Sequence, residues 1–107
     1  MAIATLQQVF GANATQDATT VTIHKADLTG LTPSATNTAD SILGGIIAQA
    51  ETNIPDSAVT GGDTTRTVGI LDGYQTIVTV GTSQLLVLPK TINFYSIFNS
   101  TFDPDNY

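Results

Sequence analysis

The chain has 107 residues and a formal net charge of −6 at pH 7, and only 11% of its residues are charged, where about 25% is usual. Its three cations, Lys25, Arg66 and Lys90, are too few and too scattered to hold a phosphate backbone, which excludes nucleic acid as a partner. No cation precedes Lys25, so we expect no secretory signal. The apolar stretches at 42–50 and 85–88 are far shorter than the roughly 20 residues of a membrane helix, so we expect no transmembrane segment.

The low charge is balanced by many Thr, Ser, Asn and Gln residues, which indicates one of two settings. The chain belongs either to a secreted or surface protein, or to a protein whose surface is covered by neighbours in an assembly. Lysine is depleted in the cores of interfaces, and few charges also remove a defence against association between sheet edges. The composition therefore favours assembly, and the length predicts a single domain over residues 1–107.

The N-terminal residues 1–10 place apolar side chains, Leu6 and Phe10 among them, at near-helical spacing before a glycine. A helix of two turns is too short to be stable alone in water, so it must pack, either on its own domain or on a neighbour. Leu6 and Phe10 are therefore candidate interface residues, and residues 1–19 are a candidate N-terminal arm. Residues 11–19 show no periodicity, whereas the alternation over 20–26 predicts a strand.

Residues 38–51 carry the pattern of an amphipathic helix, with Asn37 as its expected N-cap. Gly44 and Ala48 lie on a line of small residues beside the apolar stripe. Since glycine inside a helix costs about 1 kcal/mol relative to alanine, we hypothesise that another backbone approaches there, within the chain or from a second subunit. Simple local tolerance of glycine is the alternative. Gly44 and Ala48 are thus further candidate interface residues.

Residues 64–98 contain runs of β-branched and aromatic residues separated by turn signals. Asp72-Gly73 is typical of a tight hairpin turn, and Gly81 and Thr82 begin a second turn. Another strand is expected after Pro89. The sequence therefore predicts an α+β fold, an antiparallel β-meander of about four strands with one amphipathic helix packed on a face and with extended termini.

The C-terminal residues 99–107 read as an extended segment with two aromatic residues, Phe102 and Tyr107, around a proline and two aspartates. This layout is typical of an arm that places side chains in a neighbouring subunit. A tail folded back on its own domain is the alternative. We include Phe102 and Tyr107 among the candidate interface residues.

No motif for catalysis, cofactor binding or metal binding is present. His24 is the only histidine, and Asp27, three residues later, is a weak candidate to orient it because the spacing crosses a strand end. Asp103 and Asp105 resemble the start of a calcium loop but lack its glycine and its later glutamate. We therefore predict that the protein is not an enzyme and needs no cofactor.

In overall size, in its acidic Thr/Ala/Gly-rich composition and in the layout of a sheet with extended termini, the chain resembles small accessory proteins of tailed-phage virions, of the capsid decoration or cement type. The resemblance implies a structural role without catalysis, a place in a virion or other surface assembly, and contacts with other copies or with a major shell or tube protein. It assigns no functional residue. The alternative is a surface or extracellular module that binds carbohydrate or peptide, with Tyr74 or Tyr95 as a stacking platform.

Overall fold

The structure is a computed structural model that describes residues 4–62, 67–95 and 104–106. It confirms an α+β fold with one main helix and antiparallel strands. The elements in chain order are α1 (Leu6–Phe10), β1 (Thr15–Gln16), β2 (Val21–Thr22), a 3-10 helix (Lys25–Asp27), α2 (Ala39–Asn53), α3 (Asp56–Thr60), β3 (Val68–Asp72), β4 (Thr76–Val80), β5 (Ser83–Val87), β6 (Lys90–Phe94) and a final 3-10 helix (Pro104–Asn106).

Helix α2 is the main helix, and its N-cap differs from the predicted one. The Thr38 hydroxyl accepts a hydrogen bond from the Ser41 backbone N–H at 3.1 Å, so Thr38 is the cap. Asn37 instead braces the preceding loop, accepting from the Ser34 N–H and donating to the Thr32 carbonyl. The helix ends at Asn53, before Ile54 and the helix-incompatible Pro55.

The two adjacent glycines of α2 have different surroundings. A Cβ on Gly45 would lie 3.1 Å from the Leu28 Cβ, so the loop before α2 packs closely there. A Cβ on Gly44 would meet no described atom within 4 Å. The close approach within the chain is therefore at Gly45, and an approach at Gly44 remains a prediction about a second subunit.

The N-terminal part of the chain packs on α2. Helix α1 begins with a capping box in which the Thr5 hydroxyl accepts from the Gln8 N–H and the Gln8 side chain accepts from the Thr5 N–H. It lies against α2, and the following Ala14 is buried. Helix α1 and Ala14, both within the predicted N-terminal arm, thus pack on the domain.

The strand predicted over residues 20–26 is only two residues long, and it pairs with β1 inside the segment for which no structure was predicted. The connecting turn is organised by Asp17, whose carboxylate accepts hydrogen bonds from the backbone N–H groups of Thr19 and Thr20. These bonds, with one from the Thr20 hydroxyl, lower the pKa of Asp17 to about 2. This turn thus brings β1 opposite β2, a pairing that the alternation over residues 20–26 alone did not indicate.

The four long strands are antiparallel, in approximate agreement with the predicted meander. Strand β3 pairs with β6 (Val68 opposite Phe94), and β4 pairs with β5 (Thr76 opposite Val87), so the chain forms one long hairpin that closes at Gly81-Thr82. The predicted turn at Asp72-Gly73 is wrong. Gly73 has no positive φ. Its N–H donates to the Pro89 carbonyl at 3.0 Å, so the chain does not reverse here but continues into β4.

The hydrophobic core lies where the end of α2 meets β3. Ala50, Ile54 and Ile70 are buried together, and the Ile70 N–H donates to the Ile54 carbonyl at 3.0 Å. Pro55 forms a parallel bridge with Ile70, so the chain after α2 runs beside β3 before it enters α3. The core thus supports β3 and β6 but not β4 and β5, whose residues are all exposed.

Candidate functional site

The outer half of the long hairpin projects from the domain, and we call residues 76–87 the hairpin arm. Its strands, β4 and β5, pack extensively only against each other among the described elements. Five-residue strands extend about 17 Å. The radius of gyration of 16.1 Å exceeds the roughly 13 Å expected for a compact chain of this length.

Both faces of the hairpin arm expose apolar side chains. The strand register places Val78, directly opposite Leu85, on one face, together with Val80 and Val87. Ile77 and Leu86, directly opposite each other on the other face, are 67% and 59% exposed. A two-stranded hairpin alone is only marginally stable in water. Contiguous exposed apolar side chains on a protein surface mark interaction sites.

The hairpin arm also carries no charge. From Gly73 to Pro89 the sequence contains no Asp, Glu, Lys, Arg or His, although the whole chain has a net charge of −6. Natural sheet edges are usually protected from association by charged side chains, by proline within the strand or by bulges. Neither strand of the arm contains a charge or a proline.

The root of the arm is fixed to the domain. Residues 73–75 connect β3 to β4, and they lie opposite residues 88–89, which connect β5 to β6. The first connection therefore has one residue more than the second, as in a β-bulge. Next to it, the Lys90 ammonium contacts the Asp72 carboxylate at 2.5 Å and the Glu51 carboxylate of α2 at 2.8 Å. Hydrogen bonds to Asp72 and then to Glu51 raise the pKa of Lys90. These contacts join the strands at the root of the arm to each other and to α2.

An apolar groove lies between α1, α2 and one face of the β3–β6 pair. Its volume is about 290 Å³. Among the described residues no lining side chain is charged. They line the groove with Val9, Phe10, Ile46, Ile47, Ala50, Ile54, Val68, Ile70, Ile92 and Phe94. Ile92 and Phe94 are 42% and 48% exposed, so part of the groove wall faces solvent.

The opposite face of β3 and β6 holds a polar cluster around Asp56, the first residue of α3. Asp56 is buried, and its Oδ1 accepts hydrogen bonds from the Tyr95 hydroxyl at 2.5 Å and from Asn93 Nδ2 at 3.2 Å. The bond to Asp56, with burial and the nearby carboxylate charge, raises the pKa of Tyr95. The cluster holds α3 on the sheet. It engages the hydroxyl of Tyr95, a residue that was a candidate stacking platform.

The predicted interface residues lie in three places. Leu6 is half-buried on α1, Phe10 lines the apolar groove, and Gly44 and Ala48 lie on α2, Gly44 beside a shallow pocket with Gly30 and Ser41. The two aromatic residues predicted for the C-terminal arm, Phe102 and Tyr107, lie outside the described residues.

Sequence reasoning missed the hairpin arm as an interaction surface. The signal was present in the run from Gly73 to Pro89, where apolar residues occur on both strand faces without any charge. A strand pattern of that kind is typical of a sheet covered on both sides, and here no described element of the domain packs extensively on either side.

The acidic side chains and the single histidine are dispersed over the described residues. No group of three or more His, Cys, Asp or Glu side chains converges within the described ranges. Asp27 accepts two hydrogen bonds from Asn13, at 2.9 and 3.0 Å, which fixes its carboxylate towards the N-terminal segment. Nor, in that part of the chain, is any helix long and apolar enough to cross a bilayer.

Comparison of the chain with protein families, with curated proteins and with solved structures gives no match. The function is therefore inferred from the exposures, contacts and charges of this chain alone.

Proposed function

We propose that the protein is a non-enzymatic structural subunit whose copies associate into a larger symmetric assembly, and that the hairpin arm makes the joining contact. A small accessory protein of a phage virion is the setting that its size and composition suggest. There, a major shell or tube protein would be a further partner.

The observation that carries this proposal is the hairpin arm itself. It is uncharged, exposed on both faces and supported only at its root. A sheet needs three or more strands with a covered face, or a packed helix, to be stable in water. The arm has neither within the described residues, so its stable environment is another protein surface.

The energetic scale supports an interface of ordinary size. Full burial of a Val, Leu or Ile side chain contributes about 1.5–3 kcal/mol, and the apolar side chains of the arm are between one third and two thirds exposed. A standard interface buries about 800 Å² on each partner. The arm supplies the apolar centre of such a contact, while its hydroxyl and amide groups supply a polar rim.

A ligand-binding module is the second candidate, because Tyr74 at the root of the arm is 94% exposed. Its ring is available for stacking on a sugar or a peptide. A module of this kind works as a monomer, so the self-association of the chain distinguishes the two functions.

Hydrogen exchange of the arm amides tests the proposal. In dilute protein we expect the amides of residues 76–87 to exchange rapidly, because an unsupported hairpin opens readily. At high protein concentration we expect them to be protected by the contact between copies. Mass spectrometry of exchanged peptides at about 1 µM and about 1 mM measures the difference.

The core provides the internal control for that experiment. The amide of Ile70 is bonded to the Ile54 carbonyl, and its exchange should be equally slow at both concentrations. If exchange in the arm does not depend on protein concentration, the proposed self-assembly is wrong.

A further inference from the structure

We propose that the hairpin arm of one copy docks in the apolar groove of the next copy, with Ile77 and Leu86 entering the groove. This inference rests on the proposed function and names the partner, which is a second copy of this chain. The first copy contributes its arm, and the second copy contributes its groove.

The two surfaces match in chemistry. The arm is uncharged from Gly73 to Pro89, and every described residue that lines the groove is apolar. Two copies of a chain with a net charge of −6 repel each other over most of their surfaces. A contact between an uncharged arm and an uncharged groove brings the copies together where this repulsion is weakest.

The arm and the groove of one chain are held apart. Strands β5 and β6 are separated only by residues 88–89, and the root of the arm is tied down by Lys90 and by the bond from Gly73 to Pro89. The arm therefore continues the paired strands away from the groove wall formed by Ile92 and Phe94. Reaching its own groove would require this pairing to break, so the occupant comes from another copy.

Arm-to-groove docking covers apolar side chains that edge-to-edge pairing of two arms would leave exposed. Edge pairing of two arms would leave Ile92 and Phe94, which are 42% and 48% exposed, in water. Docking in the groove covers these two residues together with Ile77 and Leu86, which are the exposed pair on one face of the arm. One contact thus removes the groove wall and one face of the arm from water, while the face that carries Val78 and Leu85 lies outside it.

The symmetry of the contact follows from its two different halves. In a pair joined by a single arm-to-groove contact, one copy keeps a free groove and the other keeps a free arm, so further copies extend it into a ring or a filament unless the two copies exchange arms with each other. This property suits a subunit that is present in many copies.

Mixing two defective variants tests this docking. The arm variant is Ile77→Asp with Leu86→Asp, and the groove variant is Ile92→Asp. A charge in an apolar contact is costly, so we expect each variant alone to be monomeric, with self-association weakened at least about 100-fold. The arm variant keeps an intact groove and the groove variant keeps an intact arm, so a mixture of the two is expected to form one-to-one dimers that grow no further.

The outcomes of the mixing experiment separate the two proposals. If the groove variant assembles like the wild type, arm-to-groove docking is wrong and the proposed function stands. The same conclusion follows if the mixture stays monomeric while the wild type assembles. A wild type that is itself monomeric overturns both. If Ile92→Asp does not fold, Ile92→Thr keeps a β-branched side chain and should weaken association by a smaller factor while still pairing with the arm variant.

Discussion

Placing two carboxylates on the hairpin arm, through Ile77→Asp and Leu86→Asp, is expected to abolish self-association while leaving the free energy of unfolding of the domain unchanged. The two side chains lie opposite each other on one face of the arm and contact neither the core nor α2 extensively. Their burial in a neighbour contributes roughly 1–2 kcal/mol each, scaled from the value for full burial, and the charges add a desolvation cost. Light scattering measures the mass, and urea denaturation measures the stability.

The matched control places the same charge elsewhere. Ala35 and Ser57 are exposed, and Ala35→Asp with Ser57→Asp brings the net charge to the same value as in the arm variant. Retained association in this control would show that position, and not added repulsion, disrupts the contact. If both variants lose association equally, general charge repulsion explains the result and the arm has no special role.

Replacing Gly69 by alanine is expected to destabilise the domain by about 1–3 kcal/mol, the usual cost of forcing extra atoms into a packed site. A Cβ at Gly69 would lie 2.7 Å from both the Cα and the Oδ1 of Asp56. Because the Cα belongs to the backbone of α3, that helix must shift away from β3. The shift strains the hydrogen bonds that Asp56 accepts from Asn93 and Tyr95.

Gly44→Ala is the matched control for that substitution. A Cβ at Gly44 meets no described atom within 4 Å, and alanine is favoured over glycine inside a helix. This variant should therefore unfold at a higher urea concentration than the wild type, with a gain of about 0.5–1 kcal/mol. If Gly69→Ala is as stable as Gly44→Ala, Asp56 does not hold α3 against the sheet as described.

The sequence was a good guide wherever local periodicity decided the structure. Helix α2 lies close to its predicted place, and the turn at Gly81 closes a hairpin between two predicted strands. Gly81 has φ +61°, which glycine tolerates without strain, so its turn signal was a physical requirement.

Strand pairing was harder to predict because it depends on contacts distant in sequence. Asp72-Gly73 has the composition of a tight turn, yet Asp72 pairs with Lys90 across the sheet and Gly73 donates to Pro89. These non-local contacts extend the strand through a site that local propensity assigns to a turn.

The candidate site depended on the same non-local information. Phe10 was predicted as an interface residue from its place in a short helix, and it does line the apolar groove. Its groove partners Ile92 and Phe94 are distant in sequence, and only the pairing of β3 with β6 and the packing of α1 on α2 bring them together. The exposure of Ile77 and Leu86 follows from the same pairing, since a central strand position would have buried them.

The solution mass of the wild-type chain, measured by light scattering over a concentration series, tests the central claim most directly. We expect the mass to rise above the 11.1 kDa of one chain as concentration increases, because each uncharged arm then finds a neighbour. A mass that stays at 11.1 kDa up to about 1 mM, where even a contact of only 4 kcal/mol would be populated, would contradict self-assembly through the arm.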